Sequence, residues 1–174
     1  MTAAGEAPEF SKIPAKILRR ILQIPFKEFV APGLLALIPG AAVGQEVAFC
    51  DDYRSSAANL AEPWEENTRL YAKGAIRLAV IDTLEPAAGA FHLFILSPPL
   101  NELGLPQCRV VSMSGTMGFS YLGLDEARAA YDPAEGLAIT LLAERWLSAS
   151  DSYEPGELTV TINQQTGSIV PRFD

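Results

Sequence analysis

The sequence predicts a mainly β fold: an antiparallel sandwich or meander of about seven or eight short strands, with at most one or two short helices, behind an N-terminal signal-like segment. Three observations predict it. From Thr68 onward apolar residues recur with period two or in short runs. Turn-forming Gly and Pro punctuate those runs. No long amphipathic helix separates them, as a parallel α/β sheet would require. Hydrophobic residues make up 49% of the 174, enough to exclude disorder for most of the chain.

The segment before the strands divides at residue 44. Residues 1–44 carry five basic and three acidic side chains, and the remainder carries eight and 18. Residues 29–44, FVAPGLLALIPGAAVG, hold no charge. Sixteen residues are short for a membrane-spanning helix, which needs about 20. They match the apolar region of a secretory signal, with a basic stretch before it. Ala42 and Gly44 stand at the −3 and −1 positions of a cut before Gln45, and Pro39 would end the apolar helix ahead of it. This segment resembles bacterial signal peptides over about a quarter of the chain, which implies export to the periplasm or beyond. The alternatives are an uncleaved inner-membrane anchor and an amphipathic helix packed on the domain or lying on a membrane. The stretch before the apolar run is long for a signal, and Glu28 abuts the run.

Residues 45–67 read as a polar tail, with room for a short helix between Ser55 and Ala61 before Pro63. The β-rich domain then occupies residues 68–174. TRLYAKG is the first strand, ending at Gly74. In AIRLAVIDT, Ile76, Leu78 and Val80 share one face, with Arg77, Ala79 and Ile81 on the other. AFHLFILSPP is the most apolar run and stops at Pro98-Pro99. QCRVVSMSG follows a loop containing Gly104 and Pro106. FSYLGLDEARAAYD is a long bent strand or a strand with a helical turn. Asp132-Pro133-Ala134-Glu135-Gly136 is a turn, because Pro fixes φ and Gly supplies positive φ. GLAITLLAERW is a further strand, followed by a polar loop closing on Pro155-Gly156. ELTVTINQQTGSIVPRF is a β-hairpin, with Leu158, Val160 and Ile162 alternating with threonines.

Composition removes several functions. A net charge of −8 lacks the basic face a nucleic-acid binder needs. One histidine and two cysteines cannot make a Cys/His zinc site, and no cofactor motif is present. In an exported chain, Cys50 and Cys108 pair in only one way within the molecule. The loop so closed, close to 60 residues, would stabilise the fold by about 4 kcal/mol.

The remaining candidates for chemistry are few. His92 is the only histidine, so any Ser–His mechanism must use it, with Ser112, Ser114 or a nearby carboxylate as partner. The SMSGTMG stretch from Ser112 to Gly118 is neither a nucleophile elbow nor a phosphate loop. Asp125, Glu126, Asp132 and Glu135 gather around one turn but match no calcium or glycosidase pattern. Trp64, Tyr71, Phe119, Tyr121, Tyr131, Trp146 and Tyr153 either line a cleft or fill the β core. The expectation is a non-catalytic module for an unknown protein or small ligand in the cell envelope. It has no cofactor, no metal and no nucleic-acid partner, and meets a membrane only transiently through its signal. The rival is a small periplasmic hydrolase built on His92.

Overall fold

Alternation along the chain becomes two antiparallel sheets packed face to face, in a computed structural model that describes residues 44–174. Residues 1–43 of the signal-like segment, including Ala42, lie outside the described residues; Gly44 and Gln45 are the first of them. Sheet one has the order β1-β5-β4-β3-β2, from β1 (Glu46–Phe49), β2 (Thr68–Tyr71), β3 (Ile76–Asp82), β4 (Phe91–Leu100) and β5 (Pro106–Ser112). Sheet two runs β6-β7-β8-β9, from β6 (Tyr121–Asp132), β7 (Gly136–Leu147), β8 (Ser152–Ile162) and β9 (Ile169–Phe173). One short helix, α1 (Trp64–Asn67), and four single-turn 3-10 segments complete the described residues.

The inner faces make the core. Ile76, Leu78, Val80, Leu93, Ile95 and Val111 of sheet one meet Leu124, Ile139, Leu141, Leu158, Val160 and Ile162 of sheet two. Phe119 is sealed between them, its ring 6.2 Å from that of Phe173. Each such aliphatic side chain contributes about 1.5–3 kcal/mol by leaving water. The turn at Asp132 forms as its residues dictate: Asp132 Oδ1 accepts from Ala134 N at 2.7 Å, and Gly136 takes φ +113°. A side chain at Gly136 would also strike the Ile162 carbonyl.

Sheet one is covered on both sides. Residues opposite each other in register share a face, so Ile81, His92 and Ser112 form one outer row, and Ala79, Phe94, Val110 and Ala48 another. Ala79, Ile81, His92, Val110 and Ser112 are nevertheless buried. Residues 51–63 cover them. This strap leaves β5 at the Cys50–Cys108 disulfide (Cα–Cα 5.5 Å) and turns through Tyr53–Ser55 and Ala57–Asn59. It then joins the flank of β3, where Leu60 bridges Ile81 and Ala61 N donates to Val80 O at 3.0 Å.

The elements differ from the expected ones at five points. The segment 45–67 is no loose tail; it supplies the ninth strand, β1, and the strap. The short helix expected over 55–61 is two 3-10 turns, since small polar side chains at Asp52 and Ser56 cap one turn each and restart the chain. The strand expected to end at Gly74 ends at Tyr71, where the chain turns through Ala72–Gly74. β4 continues past Pro98-Pro99, with the register shift between Ser97 and Leu100 absorbing the two missing N–H donors. Pro155-Gly156 sits inside β8. Backbone pairing on the β9 side ends with the two Glu157–Asp174 hydrogen bonds, so the ring of Pro155 faces no lost hydrogen bond there.

Candidate functional site

The chemistry of this chain converges under the strap. His92 comes from the middle sheet-one strand β4, and Ser112 from the end of β5, directly opposite in the outer row. Their side chains meet: His92 Nδ1 lies 2.9 Å from Ser112 Oγ. Arg54, from the strap's first turn, reaches the same oxygen with a guanidinium N–H at 2.7 Å and donates to the Gly115 carbonyl at 3.2 Å. Asp52 closes the chain, accepting from Arg54 Nε at 2.9 Å and from a terminal guanidinium nitrogen at 2.5 Å. Gly118 lies against the ring. A Cβ there would meet His92 Cε1 at 2.9 Å and collide with the Phe91 carbonyl, so only glycine fits.

A guanidinium only donates, so Ser112 Oγ accepts from Arg54 and has one lone pair and its own proton for the contact with His92 Nδ1. The other ring nitrogen, Nε2, is buried without a partner among the described residues. Charging the imidazole would put a second cation beside Arg54, in a site closed to water. Burial first, and then Arg54, accordingly push the His92 pKa down to about 4, with Asp52 pulling weakly the other way. The hydrogen bond from Arg54 holds the Asp52 carboxyl below its usual range, and the same bond raises Arg54.

Access distinguishes this arrangement from a working dyad. His92 and Ser112 are both 0% exposed and Arg54 is 3% exposed. Asp52 reaches the histidine only through Arg54 and Ser112, so no carboxylate among the described residues orients the imidazole. Ser114 is exposed, in the turn closed by its bridge to Met117, and makes no bond to His92.

The other candidates are dispersed. Asp125 and Glu126 lie midway along β6 and Asp132 and Glu135 at its far turn, all exposed, and no group of three potential metal ligands occurs among the described residues. Phe119 is core, Tyr71 packs against the core, and Trp146 meets Tyr153 in a tilted contact at 4.9 Å between ring centroids. Trp64 in α1, Tyr121 and Tyr131 at the two ends of β6, and Tyr153 in β8 are exposed.

Sequence reasoning missed Arg54 and Asp52. Two signals could have found them. Ala79, Ile81, Phe94 and Val110 make the second face of sheet one apolar, which demands a cover. Arg54 is also the one cation between residues 45 and 68. Compared with models of protein families, with curated proteins and with solved structures, the chain matches none.

Proposed function

We propose that this chain is a small exported β-sandwich module that binds a protein or small ligand in the cell envelope and performs no catalysis. One observation carries the reading: the only histidine, with the serine it touches, is sealed beneath a strap and tied into a closed polar chain. A nucleophile must reach its substrate, and here, among the described residues, Ser112 Oγ meets only Arg54 and His92. The polar chain instead locks residues 51–63 onto sheet one.

Export to the periplasm or beyond is supported by the signal-like pattern of residues 29–44 and by the Cys50–Cys108 disulfide, a bond that persists in oxidising compartments. The alternative is an inner-membrane tether through the same apolar segment. No helix among the described residues is long and apolar enough to cross a membrane.

The hydrolase reading draws on the 2.9 Å contact between His92 and Ser112, and it requires the strap to lift. A panel of esters and glycosides, offered to the wild type and to His92→Ala, separates the two. The expected result is no turnover by either. Turnover by the wild type that vanishes in a folded His92→Ala variant would establish the hydrolase. Turnover that survives would overturn both readings and point to the acidic residues of β6.

A further inference from the structure

The turn between β4 and β5 presents apolar side chains in a fixed frame. Asn101 N donates to Leu105 O at 2.8 Å, and Gly104 N donates to Asn101 O at 2.9 Å. Asn101 Oδ1 accepts from both Leu103 N and Leu105 N at 2.9 Å. Around this clamp Leu100, Leu103 and Leu105 are 60%, 83% and 56% exposed. Phe49, at the adjoining end of β1, is 63% exposed and lies under the Arg109 guanidinium, 4.1 Å from the ring centroid. A tip that is ordered and also apolar has a use beyond closing a hairpin.

Charge at this end of the molecule is unlike the rest. Of eight cations after residue 44, Arg54, Arg128, Arg145 and Arg172 are each paired with a carboxylate. The four without a carboxylate partner among the described residues, Arg69, Lys73, Arg77 and Arg109, all lie on sheet-one strands or the turn joining two of them. All four stand toward the tip's end; Arg69 shares the register row of Arg109 and donates to the Glu65, Glu66 and Thr68 carbonyls. Arg77 and Arg109 occupy adjacent register rows across β4, on opposite faces of the sheet, and Lys73 lies in the β2–β3 turn at the same end. Those rows stand three to four residues from the tip, about 10 Å. Glu102 is the tip's one carboxylate. The acidic turn at Asp132 and Glu135 lies at this end of the other sheet, about 10 Å across the sandwich.

We propose that the Leu100–Leu105 tip inserts into the surface of an anionic lipid bilayer, with Lys73, Arg77 and Arg109 as a collar on the headgroup phosphates. Leu103, at the apex of the turn, is the most exposed of the three leucines and enters an apolar medium first; the hollow lined by Leu100, Leu105, Arg109 and Gly167 lies at the base of the turn and does not include the apex. Apolar insertion with cations at headgroup depth is the arrangement by which peripheral segments hold to anionic membranes. The acidic turn sets the tilt, bringing the sheet-one corner down first. This goes beyond the binding-module reading and rests on it only in that the domain acts by binding.

The full chain carries its own basic and apolar stretch in residues 1–43, so the readout must be local to the tip. Leu103→Trp in the full-length protein supplies it, measured against the wild-type emission from Trp64 and Trp146. With vesicles of phosphatidylcholine containing one third phosphatidylglycerol, Leu103→Trp emission is expected to move to shorter wavelength and to be quenched by brominated lipid chains. Removing Lys73 and Arg77 as Lys73→Gln and Arg77→Gln should raise the lipid needed for half the shift roughly fivefold for each charge. Glu102→Gln should lower it. Circular dichroism confirms that each variant is folded. Emission unchanged by anionic vesicles would overturn the proposal and leave the tip to an apolar pocket on a protein. A shift indifferent to Lys73, Arg77 and anionic lipid would overturn the collar. Neither result bears on turnover, which alone sinks the binding-module reading.

Discussion

Acid should unfold this domain through His92. The unfolded imidazole titrates near 6.5, and the folded one is pushed down to about 4. Between those values the unfolded chain binds a proton that the folded chain refuses. Stability therefore falls as pH drops through that window and is fully present above it. Integrating the single-site linkage from pH 7 gives a loss of about 1.2 kcal/mol at pH 5.5 and about 2.4 kcal/mol at pH 4.5. Asp52, held below its ordinary value of 3.8, contributes its own loss only as pH falls past that value, below the window. Urea unfolding at pH 7, 5.5 and 4.5 measures the slope. His92→Asn is the control, because its amide can still hydrogen-bond Ser112 but does not titrate. Its stability will be lower throughout, and the difference in slope between the two proteins isolates His92. Equal slopes in wild type and His92→Asn would refute the sealed-imidazole account.

Two further perturbations probe the strap. Arg54→Met deletes the donor that the buried Ser112 hydroxyl accepts from and should cost about 1.5–3 kcal/mol in chemical denaturation, with Asp52, which is partly exposed, turning to water. Arg54→Lys should rescue little, since an ammonium cannot hold Asp52 with two nitrogens and still reach Ser112. Replacing Cys50 and Cys108 together by serine opens a loop of 58 residues and should cost about 4 kcal/mol, read as a lowered thermal midpoint that reductant no longer changes.

The fold was legible where one physical signal dominated. Alternation placed Ile76, Leu78 and Val80 on the core face, and Leu158, Val160 and Ile162 with them. The residue chemistry of Asp132–Gly136 named its turn, and Cys50 and Cys108 are joined across the outer row of sheet one. What was illegible depended on contacts distant in sequence. Glu46–Phe49 is too short to carry a period and becomes a strand because β5 offers it an edge. Residues 51–63 look polar enough for a tail, yet the apolar outer face of sheet one holds them down. His92 and Ser112 were visible as the residues able to do chemistry. Their contact, 20 residues apart in sequence, follows from the β4–β5 register, and their burial follows from Arg54, which no local pattern marks.

The strap seals the Ser112–His92 pair, and that seal is open to a chemical test. Labelling of the disulfide-intact native protein with a fluorophosphonate, followed by mass spectrometry of the peptide containing Ser112, tests it most directly. No adduct on Ser112 is expected under conditions that fully label an accessible serine hydrolase. Stoichiometric modification of Ser112 in the wild type, lost in folded His92→Ala, would contradict it.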